Sequence, residues 1–300
     1  MMYLEHFGLT KPPFSLTPNT QFFLGLTPHI EALQVLQTTL QYGEGFIKVT
    51  GEVGTGKTLL CRKIMNDLPD DFVLIYLPNP YLTPDELRWS VALELGLTYS
   101  AHIAQQQLTS MIQSTLISLH QEGKKLVIIV DEAQALPCES LEALRLFTNL
   151  ETETSKLLQV VLFGQPEIDE RISQRQLRQL RQRITFSYHL RPLSQHEVAS
   201  YLEHRLTIAG YNQDFLFSKK GIQLLHKASR GTPRLINVLA HKALLLCYGS
   251  GQHSISQKHI QEAIADTDDT KGYTYIDWRS MTLKLGLFLG SMIALAGVFL

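Results

Sequence analysis

FIKVTGEVGTGKT, residues 46–58, decides the fold. Phe46 to Thr50 is a short apolar run, Gly51 to Thr58 is rich in glycine, and Leu59, Leu60, Ile64 and Leu68 then recur at helical spacing. The order is strand, loop, helix. GEVGTGKT fits G-x-x-x-x-G-K-[ST], in which glycines let successive backbone N–H groups turn inward around phosphate oxygens at a helix N-terminus. Gly51, Glu52, Val53, Gly54, Thr55, Gly56, Lys57, Thr58 and Leu59 are therefore the expected ATP-binding segment. Lys57 is placed to reach the β and γ phosphates and Thr58 to ligate Mg2+. A glycine turn without nucleotide is the weaker reading, because the motif sits between a strand and a helix.

Downstream, the alternation continues. Phe72 to Leu77 reads as a buried strand, and Thr83 caps a helix from Pro84 to about Leu95, closed by Gly96. An amphipathic segment from about Ile103 to His120 precedes LVIIV, residues 126–130, which stops at Asp131 and Glu132. A helix from Glu139 to Leu150 and strands from Leu157 to Phe163 and Ile184 to Leu190 complete an α/β unit whose parallel sheet is covered by helices on both faces. After Pro192 the strand signals cease, and helices are expected at about 194–209, 218–229, 233–248 and 256–265. The implied units are an α/β nucleotide-binding domain over 1–192, an all-α lid over 193–266, a solvated linker over 267–281 and an apolar segment over 282–300.

Three further residues join the phosphate loop. A carboxylate at the carboxyl edge of a parallel sheet can meet Mg2+ beside such a loop, so Asp131 is the expected metal-shell residue. Glu132 is then free to polarise an attacking water, which suggests hydrolysis. At the end of the next strand, Gln165 offers a neutral side chain able to sense γ-phosphate or water, although a polar turn residue before Pro166 explains it nearly as well.

Six arginines, Arg171, Arg175, Arg178, Arg181, Arg183 and Arg191, lie in an interval that holds no acidic residue. Arg183 directly precedes ITFSYHL, which would set it at the sheet's carboxylate-rich edge or at a subunit boundary, within reach of a neighbour's γ-phosphate. A nucleic-acid patch is the rival, and neither aromatic interleaving nor the formal net charge of −1 supports it. In SRGTPRLIN, Thr232 can cap a helix with Pro233 first and Arg234 in the first turn. A cation there opposes the helix dipole by ~0.3 to 1 kcal/mol, which a bound γ-phosphate would offset.

The phosphate loop, the Asp-Glu pair, Gln165, Arg183 and GTPR together resemble the AAA+ ATPases. The opening YLEHFGLTKPPFSLTPNTQFFL, with DEAQ and GQPE further on, is similar to the ExeA or general secretion pathway protein A group, nearest its MSHA-type pilus-biogenesis branch. The resemblance implies Lys57 and Thr58 as Walker A, Asp131 and Glu132 as Walker B, Gln165 as sensor 1 and Arg234 as sensor 2. It also implies Arg183, with Arg181 in reserve, as the arginine finger. It further implies homo-oligomeric rings, commonly hexamers, with ATP between neighbours and contacted by the N-terminal segment and lid. Partners would be inner-membrane proteins of pilus or secretion assembly. Secretion members carry a periplasmic peptidoglycan-binding region after a membrane span. The 300 residues hold none, so the expectation is a shorter pilus-type relative or a chain that stops early.

Leu285 to Leu300 spans about 24 Å as a helix, short of a hydrocarbon core near ~30 Å. Beginning at Thr282 with Lys284 snorkelling brings it to ~28 Å. Arg279 and Lys284 on the near side, with Tyr273, Tyr275 and Trp278 upstream, favour a transmembrane helix that anchors a cytoplasmic ATPase to the inner membrane over a buried oligomerisation helix. The N-terminus has no basic, apolar leader. Three separated cysteines and eleven histidines show no zinc, redox or H-E-x-x-H spacing. Two other functions stay open: a DNA-bound ATP switch, for which no DNA-reading domain follows the lid, and a nucleotide-dependent scaffold with little turnover.

Overall fold

A computed structural model describes residues 2–78, 80–100, 103–149 and 156–270. The expected linker beyond Thr270 and the apolar segment 282–300 lie outside the described residues. Among the described residues no helix is long and apolar enough to cross a membrane.

The chain opens with α1 (Met2–His6) and α2 (Thr27–Gln41), then runs β1 (Phe46–Thr50), α3 (Lys57–Asp67), β2 (Phe72–Leu77), α4 (Pro84–Glu94) and α5 (Gln105–Gln121). It continues with β3 (Lys125–Val130), α6 (Cys138–Phe147), β4 (Leu158–Gly164), α7 (Glu167–Ser173), α8 (Arg178–Arg183) and β5 (Ile184–His189). The lid is α9 (Gln195–Ile208), α10 (Lys219–Ser229), α11 (Pro233–Gly249) and α12 (Gln257–Ala265).

The five described strands pair in parallel in the order β2-β3-β4-β1-β5. β3 and β4 read as nearly unbroken apolar runs because both their faces are covered, and Ile128, Ile129, Val160 and Val161 have no exposed surface. One face packs on Leu87, Leu108, Ile112, Leu141 and Leu144 of α4, α5 and α6. The other packs on Leu36 and Leu40 of α2 and Leu60 and Ile64 of α3. β5 is an edge strand, and Thr185, Phe186 and Ser187 are exposed.

Local signals set several ends. Thr83 and Glu86 form a reciprocal capping box at α4, as Ser194 and Glu197 do at α9. α2, which is not among the helices expected above, has Pro28 at its start and buries Ala32, Leu36 and Leu40 at helical spacing. Thr232 stands at the N-cap of α11 with extended backbone, but its side chain makes no capping hydrogen bond. α6 ends at Phe147, short of the expected Leu150.

The lid core takes in the N-terminal segment. Tyr3, Phe7, Leu9 and Phe14 pack with Leu202, Leu206, Leu239 and Leu244. At about 1.5 to 3 kcal/mol per fully buried side chain, these four apolar anchors are a substantial part of what holds the segment on the lid. The lid also extends past Ala265. Thr267 and Thr270 are buried, and the Thr270 hydroxyl donates to Ile264 O at 2.7 Å, so the first residues of the stretch 267–281 expected as linker pack on the lid while Asp268 and Asp269 stay exposed.

Candidate functional site

The phosphate loop leaves β1 between two neighbouring strand ends. Gly51 N–H donates to Gly164 O at 3.2 Å, and Leu190 N–H to Thr50 O at 2.7 Å. Thr55 closes the loop, its N–H and hydroxyl donating to Glu52 O at 3.3 and 2.8 Å. α3 then begins at Lys57 behind Gly56, with no side chain capping its first N–H groups, which leaves them available to an anion. The buried Lys57 ammonium donates to Gly51 O at 2.7 Å and Glu52 O at 2.9 Å, so a cation waits inside the loop. Burial depresses its pKa, while Glu132 and Asp131 pull it back up. Beneath the loop, buried His29 of α2 approaches Thr55 O at 3.3 Å through Nε2, and burial holds its ring below the usual pKa.

β3 delivers the acidic pair to the same place. Asp131 is buried, its N–H donating to Leu77 O at 3.0 Å, with the Thr58 hydroxyl near its carboxyl. Burial pushes that carboxyl up, and the Thr58 hydroxyl and Glu132 N–H pull it down. Tyr76 on β2 is pushed up to about 12 by burial, with Cys61 and Asp131 adding to the effect. A hydroxyl and a buried carboxylate side by side are hard oxygen donors suited to Mg2+, which takes one or two protein ligands and fills the rest with phosphate and water. Among the described residues no cluster of three or more His, Cys, Asp or Glu forms a self-contained metal site, so Thr58 and Asp131 fit a metal that arrives with a polyphosphate.

Glu132 turns the chain in left-handed backbone, φ 53° and ψ 38°, with its N–H on Asp131 Oδ1 at 3.0 Å. Its Oε2 accepts from Gln165 Nε2 at 3.2 Å and from Gln134 Nε2 at 2.6 Å. Gln165 is thus both at the expected strand end and in contact with Glu132.

The lid supplies the remaining wall. Arg234 N–H donates to Gly54 O at 3.1 Å, and a Cβ on Gly54 would stand only 2.6 Å from Arg234 Cβ, so a side chain there would force the loop and α11 apart. A cleft of about 190 Å³ lies between Ser15 to Asn19, the phosphate loop and lid residues Tyr201, Arg205, Arg234 and Asn237, with Glu132 and Gln165 at its phosphate end. Arg205 is buried and pins the N-terminal segment, donating to Pro13 O at 2.5 Å and Ser15 O at 3.2 Å with its guanidinium over the Phe22 ring. From the other side, Arg62 donates to Pro18 O at 2.8 Å.

Lys57, Thr58, Glu132, Gln165 and Arg234 therefore converge on one cleft, with Asp131 behind Thr58. Arg183 does not join them. Ile184 pairs with Phe46 at the start of β1, so the residue before β5 lies at the amino edge, about a strand's length from the carboxyl edge expected for it. Its guanidinium donates to Thr148 Oγ1 at 3.2 Å. Arg191 is a structural residue, paired bidentately with Glu197 at 2.8 and 3.0 Å, and Arg171 donates to Leu136 O. His29, Tyr201 and Arg205 are site residues that no motif marks, while Gln134 and Asn237 fall within DEAQ and SRGTPRLIN without a role assigned to them above. Tyr201 and Arg205 lie on the helix expected at 194–209, and His29 lies on α2, which is not among the expected helices.

Residues 40–172 match the family described as AAA domain. Over that stretch, which takes in the phosphate loop, Asp131, Glu132 and Gln165, the chain is similar to an AAA domain. Across 299 residues, the whole of this chain, it is 42% identical to general secretion pathway protein A of Aeromonas hydrophila. It spans about half that relative's length, 52%. The AAA+ fold, parallel sheet plus helical lid, is shared with Cdc6p of Pyrobaculum aerophilum (TM-score 0.62, 16% identity, 82% of this chain and 70% of that one). It is also shared with a Walker-type ATPase of Pyrococcus abyssi (TM-score 0.56, 16% identity, 95% and 79%). These likenesses show the fold. The AAA domain implies ATP binding, and the cleft described above is where this chain would hold it.

Proposed function

We propose that this chain hydrolyses ATP and uses the turnover to rearrange partner proteins during assembly of a surface pilus or a type II secretion apparatus at the inner membrane. The observation that carries the hydrolytic part is the Glu132 carboxylate, held in the cleft that also presents Lys57 and Thr58. The α3 N-terminus and Lys57 bind the β and γ phosphates, and Arg234 approaches from the lid. Glu132 accepts a proton as a water oxygen bonds to the γ phosphorus and the bond from that phosphorus to the β-bridging oxygen breaks, releasing ADP and phosphate. Mg2+, held by Thr58 and Asp131, would supply charge neutralisation of the phosphate oxygens. The secretion or pilus setting rests on the likeness to general secretion pathway protein A, and anchoring rests on the apolar sequence 282–300. A ring in which Arg183 serves the neighbouring site accounts for an arginine at the edge remote from its own phosphate loop.

Phosphate release from the full-length chain tests the reading. Lys57→Ala is expected to abolish ATP binding, and Glu132→Gln to keep binding while losing turnover. An unchanged rate in Glu132→Gln overturns the base assignment. In cells, deletion of the gene should remove surface pili or stop exoprotein release, and loss of neither refutes the assembly role.

A further inference from the structure

Gln134 lies in the short 3-10 turn Ala133–Ala135, two residues beyond Glu132, and its side chain is not part of the cleft wall. Both ends of its amide are engaged. Nε2 donates to Glu132 Oε2 at 2.6 Å, and Oε1 accepts the backbone N–H of Gln165 at 2.9 Å. The amide orientation is thereby fixed, since turning it over would set N–H against N–H and oxygen against a carboxylate. Gly164 leaves the room: a Cβ there would stand 3.3 Å from Gln134 Oε1. Gln165 Nε2 adds a second donor to the same Oε2, at 3.2 Å. Among the described residues no donor is assigned to Glu132 Oε1. The carboxylate thus has one oxygen held from behind, while Glu132 itself lines the cleft beside Lys57 and Thr58.

We infer that Gln134 is the positioning residue of this hydrolytic site: it grips one oxygen of Glu132 so that the other faces the water in the cleft, and it locks that carboxylate to the end of β4 through Gln165. The inference rests on Glu132 being the base. A glutamate side chain has three rotatable bonds, and left-handed backbone at Glu132 leaves the local chain no regular helix or strand to orient it. The fixed amide supplies that orientation from a strand end 31 residues away. Misplacement of a reacting group by about 1 Å costs on the order of 100-fold in rate, so a clamp of this kind acts on turnover and not on nucleotide affinity.

The test measures kcat, KM and the Kd of ATP with Mg2+ for the full-length chain carrying Gln134→Met, which keeps side-chain length but loses both hydrogen bonds, and Gln134→Ala as a second variant. Expected are a fall in kcat of roughly 10- to 100-fold, a Kd within about twofold of wild type, and a thermal midpoint high enough for the assay in at least one variant. In the Glu132→Gln background either substitution is expected to change the residual rate by less than about twofold, because Gln134 acts through that carboxylate. An unchanged kcat overturns the inference, as does a raised kcat, which would make the contact a restraint. A further fall in the Glu132→Gln background as large as in wild type also overturns it. Loss of ATP affinity in step with kcat, or failure of both variants to fold, assigns Gln134 a structural role and overturns it too. If Glu132→Gln turns over at the wild-type rate, the base assignment fails and the positioning role with it. If Glu132→Gln is inactive and Gln134→Met is normal, only the positioning role fails.

Discussion

Gly54→Ala tests how the lid sits on the phosphate loop. The new Cβ would stand 2.6 Å from Arg234 Cβ, 3.3 Å from Arg234 Cδ and 3.2 Å from Thr232 Cγ2. Carbon atoms rest at about 3.5 to 4.0 Å, so α11 must retreat by about 1 Å or the loop must deform. The backbone adds its own cost: Gly54 has φ 81°, where an alanine pays about 1 to 2 kcal/mol. Overpacking adds about 1 to 3 kcal/mol if the lid stays docked, for a total near 2 to 5 kcal/mol. Undocking instead relieves the overlap but forfeits the bond from Arg234 N–H to Gly54 O, worth about 1 kcal/mol, and carries Pro233 and Arg234 away from the cleft. Each 1.4 kcal/mol of that loss is about tenfold in ATP affinity. The assay is urea unfolding of the full-length chain together with calorimetric titration of ATP and Mg2+. Gly8→Ala is the control, since Gly8 shares a positive φ of 66° but has nothing within 4 Å of the added carbon. If the two variants match in both stability and affinity, the contact between loop and lid carries no weight and the reasoning fails.

Phe7→Ala removes a buried ring from the lid core, and a loss of about 3 to 5 kcal/mol in unfolding free energy is expected; a change under about 1 kcal/mol would show that the N-terminal segment is not anchored there. Arg191 holds the Glu197 carboxyl at about 2 against an ordinary 4.5, so the stability it lends is full above 4.5 and lost as pH falls toward 2. Arg191→Ala should therefore flatten the acid unfolding profile over that window, and an unaltered profile rules the pair out as its cause. If Arg183 serves a neighbour, Glu132→Gln and Arg183→Ala are each inactive, yet mixing them restores part of the turnover, because some sites then combine an intact Glu132 with a partner's intact arginine. No recovery on mixing removes the shared-site proposal.

Much of the fold was legible because its signals are local. LVIIV reads as a doubly covered strand without knowledge of its neighbours, and the capping box at Thr83 and Glu86 lies within four residues. Arg183 shows the limit. Its place before β5 is plain in the sequence, but which edge of the sheet that is depends on the parallel pairing of Phe46 with Ile184. Gln134 shows it again, since DEAQ does not disclose that the glutamine reaches Gln165.

The sequence by itself determined the phosphate loop, the placing of Thr58, Asp131 and Glu132 beside it, and the succession of α/β unit and helical lid. Each of these is set by residue type and by spacing within one strand, loop or helix, where backbone geometry leaves little choice. Tertiary structure alone decided that Gly54 meets Arg234 across 180 positions, that Phe7 and Phe14 belong to the lid core, and that Gln134 orients Glu132. Those contacts follow from the strand order β2-β3-β4-β1-β5, which brings the ends of β1, β3 and β4 to one edge, and from the packing of the lid above them. A periodicity of two or 3.6 residues records which face of an element is buried and carries no record of which distant element buries it.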